Sequence, residues 1–136
     1  MMISTKGRYA LRVMLDLAQN TEDGCISLKC VSDRQSVSMK YLEMIVSLLH
    51  KNGLVVSRRG IAGGYRLARN ASEITVYEVI HAAEGALTPV SCLDGDTPCE
   101  RAEGCLTLPM WKKLDTVICE YLSSVTIQDL LDRRVE

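Results

Sequence analysis

At 136 residues the chain has the size of one domain, and with 47% hydrophobic residues it can build a packed core, which excludes a disordered tail. Its apolar runs are short and cut by charges, excluding a transmembrane span. Residues 1–8 lack the long apolar core of a signal peptide, so a cytoplasmic protein with no membrane partner is expected. The net charge of −1 conceals a split, because residues 1–70 hold eleven Lys/Arg against five Asp/Glu and residues 71–136 hold five against twelve. The first half suits a polyanion and the second repels one.

A first helix is predicted over residues 4–20, with Leu11, Met14, Leu15 and Ala18 on one face. Ser4 or Thr5 caps its start, and Thr21-Glu22-Asp23-Gly24 ends it in turn residues. Ile26-Ser27-Leu28 reads as a short extended piece leading into a second helix over residues 28–35. A third helix follows Ser36-Val37, with Ser38 as N-cap and Leu42, Ile45, Val46, Leu48 and Leu49 as its buried stripe. Lys51-Asn52-Gly53 stops it. Leu54-Val55-Val56-Ser57 reads as a strand and Tyr65-Arg66-Leu67 as its return, joined by Arg58-Arg59-Gly60-Ile61-Ala62-Gly63-Gly64. Three helices followed by a small hairpin is the winged-helix order.

A fourth helix is predicted over residues 76–84. Residues 85–104 carry Pro89, Gly95 and Pro98 without periodicity and read as a loop, and a loop of that length inside a small domain is usually functional. A long helix over residues 108–122 places Trp111, Leu114, Ile118, Tyr121 and Leu122 on one face, and a last helix spans residues 127–133. The expected fold is mostly α: a winged helix-turn-helix DNA-binding region over residues 1–70, then a cysteine-loop sensor and dimerisation region over residues 71–136. The long helix is too apolar on one side to face water once the first three helices have filled their core. A homodimer about that helix is therefore expected.

In a helix-turn-helix pair the second helix enters the major groove by its N-terminal end. With Leu42 in the buried stripe, Ser38, Lys40, Tyr41 and Glu43 are expected to face outward. Lys40 suits a phosphate or a guanine edge, Tyr41 a phosphate, and Glu43 the exocyclic amine of cytosine. The hairpin supplies a second footprint. Arg58, Arg59, Arg66 and Arg69 fall in one window, and Gly60, Gly63 and Gly64 let backbone approach phosphates while an arginine enters a narrow minor groove. A glycine-rich loop also suits a nucleotide, but the strand–loop–helix context of a phosphate cradle is missing.

Cys92, Cys99 and Cys105 lie within the irregular loop, with Asp94, Asp96, Glu100 and Glu103 between them. Soft thiolates from one loop suit an iron–sulfur cluster, zinc or copper, and the spacing leaves cluster, zinc and redox-switching thiols open. Three cysteines leave a fourth position open or weakly held, an advantage in a sensor. Cys30 reads as core filler, Cys119 as filler or a residue near the dimer seam, and His81 as structural rather than a ligand. A thiol enzyme would need a C-x-x-C pair or a pocket of acid–base groups, and neither is present, so no enzyme is expected.

Taken together, Ser4-Thr5-Lys6-Gly7-Arg8-Tyr9-Ala10, the third helix ending in Lys51-Asn52-Gly53-Leu54-Val55, Arg59-Gly60-x-x-Gly63-Gly64-Tyr65, and Cys105-Leu106-Thr107 followed by Trp111 resemble the IscR-type (Rrf) family over nearly the whole chain. The resemblance implies a dimeric bacterial winged-helix regulator of transcription. Several members carry a 2Fe–2S or 4Fe–4S cluster and control cluster assembly, nitric oxide or redox responses, or cysteine metabolism. By position it assigns Cys92, Cys99 and Cys105 to the cluster, and Glu43 and Arg59 to the major and minor grooves. Lys6, Ser38, Lys40, Tyr41, Arg58, Gly60, Gly63, Gly64 and Tyr65 complete the expected DNA-facing set. The chain departs from the family at several points. Leu108 stands where assembly regulators place a histidine, and Arg8 where nitrosative-stress members place an acid. Lys40 replaces a smaller polar residue, and the hairpin lacks its usual proline. The expected function is a DNA-binding regulator sensing cluster status or redox state. The alternative is a regulator of the same fold answering to zinc, thiol oxidation, nitric oxide or a small ligand.

Overall fold

A computed structural model describes residues 3–20, 24–93 and 99–135. The chain forms α1 (Thr5–Gln19), α2 (Leu28–Gln35), α3 (Met39–Lys51), β1 (Val55–Arg58), β2 (Gly64–Leu67), α4 (Val76–Glu84), α5 (Leu108–Ser124) and α6 (Ile127–Leu131), with single 3-10 turns at Ala71–Glu73 and Ser91–Leu93. The elements follow the expected order. Among the described residues, no helix is long and apolar enough to cross a membrane.

Side-chain caps set most of the helix starts. Ser27 accepts from the Cys30 amide and Ser38 from the Tyr41 amide, satisfying donors that the first turn leaves free. Thr75 with Glu78 and Thr126 with Asp129 form reciprocal capping boxes on α4 and α6. α2 and α3 join through Ser36 in the left-handed conformation, and buried Val37 anchors the turn. α6 stops at Leu131, two residues short of expectation, and Arg133 takes a positive φ of 55°.

The core forms where α3 lays Leu42, Ile45, Val46 and Leu49 against Ala10, Val13, Met14 and Leu17 of α1. Leu48, expected in the same stripe, lies at its edge and stays partly exposed. Ile74, Val79, Ala83 and Ile127 complete this core from beyond residue 70, so α4 and α6 are built into the winged-helix module itself. A smaller cluster of Val76, Ile80, Leu87 and Val125 takes in Leu122 of α5.

β1 and β2 pair antiparallel, Val55 opposite Leu67 and Arg58 opposite Gly64. Ile26 adds a bridge on the far edge, where its N–H and C=O each bond the Tyr65 backbone at 2.8 Å. The hairpin is thereby stitched to the segment that leads into α2.

α5 differs from the other long helices, for none of its residues is buried. Trp111, Ile118, Cys119 and Leu122 are half-covered on one side, whereas Met110, Leu114, Val117 and Tyr121 lie on another, 39–53% exposed. The single apolar face read from the sequence is therefore two. Leu114 and Tyr121 belong to the outward one.

Candidate nucleic-acid interface and cysteine loop

Burial of the α3 stripe decides which of its residues face out. Ser38, Lys40 and Glu43 are exposed, as are Met39 at 40% and Met44 at 42%. The Ser38 hydroxyl is already occupied as the cap, accepting from the Tyr41 amide at 3.2 Å. Tyr41 does not stand free, because its ring meets Tyr9 edge-on at 5.9 Å and packs against the core. Sequence reading missed Met39 and Met44. Their position off the buried stripe was the available signal, and such side chains suit thymine methyl groups.

On α1, Lys6 is half-buried and its charge lies near Glu84. Glu84, the last residue of α4, puts one carboxylate oxygen on the first turn of α1. It accepts from the Ser4 amide at 3.0 Å, from the Ser4 hydroxyl at 2.5 Å and from the Gly7 amide at 2.8 Å. Burial works to raise its pKa, but these bonds and the charge of Lys6 prevail and hold the carboxyl below the usual glutamate range.

A second fixed point joins α1 to α2. Asp16, 2% exposed, accepts from Arg34 at 2.6 and 3.0 Å and from Gln35 at 3.0 Å, while Arg12 donates to the Gln35 side chain and carbonyl. Burial pushes the Asp16 carboxyl up, and the Arg34 and Gln35 bonds outweigh it, leaving its pKa below the ordinary value. Arg12 and Arg34 of the basic half are thus committed internally.

The hairpin presents Arg58, Arg59 and Arg66 to solvent, but Arg69 is ion-paired with Glu78 at 2.7 Å. The basic window therefore offers three open cations rather than four. The glycines serve the hairpin first. A Cβ on Gly63 would sit 2.3 Å from the Arg58 carbonyl oxygen, and one on Gly64 would sit 2.2 Å from that of Ile26. Only Gly60, at φ 112° with open space around it, is required by conformation alone. Tyr65 is half-buried against the core, its backbone engaged with Ile26.

Cys92 and Cys99 are exposed and Cys105 is half-buried on the segment between α4 and α5. Two consecutive turns link the last two, the Ala102 amide donating to Cys99 and the Cys105 amide to Ala102. Cys105 reaches the start of α5, its sulfur 3.5 Å from the Thr107 hydroxyl. The hydrogen bonds of Thr107 and the amide of Leu108 hold its thiol below the ordinary cysteine range, the setting a metal-binding thiolate needs. Among the described residues no three His, Cys, Asp or Glu side chains come together as a metal-holding group. Asp94, Asp96 and Pro98 lie outside the described residues. The donor set therefore fits a soft metal centre by its chemistry, while among the described residues the three sulfurs are not gathered at one point.

The remaining cysteines separate clearly. Cys30 is exposed on α2, correcting its reading as core filler, because the only residue of α2 that is buried is Val31. Cys119 is half-buried on α5, where burial and Asp115 push its thiol up despite a hydrogen bond with Tyr77. His81 is exposed and stacks on Tyr77, with ring centroids 5.6 Å apart.

Residues 3–133 match the model of the Rrf2 family, described as iron-dependent transcriptional regulators. The chain is 41% identical to the HTH-type transcriptional regulator IscR of Photorhabdus laumondii, over 98% of this chain and 81% of that one. Among solved structures it is similar to CymR, the global cysteine regulator of B. subtilis, with a TM-score of 0.78 and 37% identity over 98% of each chain. It is also similar to IscR of T. potens, with a TM-score of 0.77 and 38% identity over 99% of this chain and 89% of that one.

Proposed function

The chain belongs to the Rrf2 family of transcriptional regulators, and on that premise we propose that it binds double-stranded DNA as a homodimer whose operator affinity follows the state of Cys92, Cys99 and Cys105. As a member of a family of regulators it is not an enzyme. Lys40 and Glu43, exposed at the start of α3, address the major groove, and Arg58 and Arg59 on the hairpin address the minor groove and its phosphates.

One observation carries the sensing half. Cys105 is hydrogen-bonded to the first turn of α5, and α5 carries an apolar stripe that stays about two-fifths to one-half exposed among the described residues. A change in where the loop is held is thus delivered directly to the helix on which the two subunits would pair. The three cysteines would hold an iron–sulfur cluster, which when bound supplies a centre sensitive to iron, oxygen and nitric oxide. This chain's residues do the coupling: the loop fixes the start of α5, α5 sets the spacing of the two α3 helices, and Glu84 keeps the start of α1 on the same frame. A coupling of about 1–3 kcal/mol changes occupancy roughly 5- to 150-fold.

Anaerobic purification from iron-replete cells, with a visible spectrum and iron, sulfide and zinc counts on one sample, tests this. A brown protein with near-stoichiometric iron and sulfide that bleaches in air is expected. Cys99→Ala should lose that absorption while keeping the helical circular dichroism of the wild type. Full absorption in the variant would remove Cys99 from the ligand set.

A second reading draws on the ungrouped sulfurs and on the likeness to a cysteine regulator: the thiols respond to oxidation or sulfur supply without a cluster. It calls for a colourless protein whose DNA affinity changes with thiol oxidation and is indifferent to iron.

A further inference from the structure

The tip of the hairpin is apolar and is held out by a turn whose geometry comes from its two ends. The Gly63 amide donates to the Gly60 carbonyl at 3.0 Å, closing a four-residue turn with Ile61 and Ala62 at its apex. Gly60 supplies the positive φ, and Gly63 sits so close to the Arg58 carbonyl that no side chain fits there. Neither demand falls on residue 61. Ile61 is nevertheless a β-branched hydrophobe, 109% exposed, at a position where turns favour small polar residues. Nothing in the hairpin's own packing accounts for it. Behind the tip, Arg58 and Arg59 lead into the turn and Arg66 lies across the ladder opposite Val56, all exposed.

An apolar point flanked by cations matches one polyanion surface closely. Phosphates line both walls of the DNA minor groove, while its interior offers sugar C–H groups and, at A·T pairs, a floor without an amino group. Resting on the DNA-binding reading above, we infer that Ile61 is the specificity element of the hairpin. With Ala62 beside it, Ile61 enters the minor groove while Arg58, Arg59 and Arg66 hold the phosphates, and it selects A·T-rich sequence by filling the space a guanine amino group would occupy.

The test uses the full chain, first to select a bound duplex from a random-sequence pool, then for anisotropy titrations of that duplex over a range of KCl concentrations. I61A is expected to bind about tenfold more weakly, and I61V to recover most of that loss, as removal and partial return of buried methyl groups require. The slope of log K against log salt should be unchanged in I61A, because an apolar contact releases no counterion, and should fall by about 0.9 in R59A. Replacing adenines beneath the hairpin with 2,6-diaminopurine puts an amino group into the minor groove and leaves the major-groove edge of the pair in place. Wild type should lose affinity on that duplex, and I61A should lose several-fold less. I61A binding within twofold of wild type, a salt slope that falls as in R59A, or equal penalties on the substituted duplex would each overturn the assignment. A basic, apolar tip could also insert into an anionic bilayer. Phosphatidylserine vesicles that bind wild type and not I61A, with DNA binding equal for both, would overturn it in favour of a membrane. Failure of wild type to enrich any duplex would instead remove the DNA-binding reading itself.

Discussion

Asp16 keeps its charge at 2% exposure because three hydrogen bonds from two side chains meet it there, two of them from one guanidinium. A carboxylate so held ionises more readily in the folded chain than in the unfolded one. Its contribution to stability is therefore complete above the unfolded aspartate value near pH 4 and is lost as pH falls through the lower native value. Asp16→Asn should cost about 1–3 kcal/mol, less than a fully buried pair, because Arg34 at 41% exposure regains water. For a chain of this size that is a fall in Tm of roughly 4–10 °C at neutral pH. The same variant should lose stability less steeply than wild type below about pH 4. Thermal unfolding of both proteins across the acid range reads the two effects together. Parallel acid limbs would mean that Asp16 is not the group whose protonation loosens α2 from α1.

Glu84 and Gly7 make the corresponding joint between elements. A glycine inside a helix ordinarily costs about 1 kcal/mol relative to alanine, and Gly7 in the first turn of α1 lies directly against Glu84. A Cβ there would stand 2.6 Å from the Glu84 oxygen that caps the helix. Gly7→Ala should accordingly be neutral or mildly destabilising in the wild type but stabilising by about 0.5–1 kcal/mol in a Glu84→Ala background, a coupling that a double-mutant cycle in urea measures. Additive changes would show that glycine is not held there by Glu84. This contact also marks where sequence reading reaches its limit. The start of α3 was legible because Ser38 acts on an amide three residues away, and the α3 stripe because its period is local; Ser4, read as the cap of α1, makes no side-chain cap bond and gives its hydroxyl to Glu84 instead. Glu84 on Gly7 and Ile26 against Gly64 join residues far apart in the chain, so the sequence alone does not show that Gly64 serves backbone approach within the fold. The packing of Tyr41 and Tyr65 against the core is invisible in the sequence for the same reason, both residues staying partly exposed. The cysteine loop was legible as chemistry and not as geometry, since spacing names donors without saying where they meet.

For the whole molecule the decisive surface is the outward stripe of α5. Met110, Leu114, Val117 and Tyr121 follow one another at steps of four, three and four residues, the seam spacing of paired helices, and each is about two-fifths to one-half exposed. The opposite side of α5 is already engaged, with Leu122 in the cluster around Val76 and Ile80 and Cys119 against Tyr77. In the proposed homodimer a second copy would cover this stripe, because a two-fold axis lets the same four residues meet themselves and carries two α3 helices to one duplex. Replacing both Leu114 and Val117 with Asp places four like charges at the seam and disturbs no buried residue. The expected product is a folded monomer with wild-type circular dichroism, seen as a halved mass in sedimentation equilibrium. Its affinity for a two-half-site duplex should fall about a hundredfold, since the second module no longer binds as an intramolecular event. A variant that stays dimeric would move the seam away from this stripe. A monomer that kept full affinity would leave the pairing of α5 without a part in DNA recognition, and would remove the route by which the state of Cys105 reaches the operator.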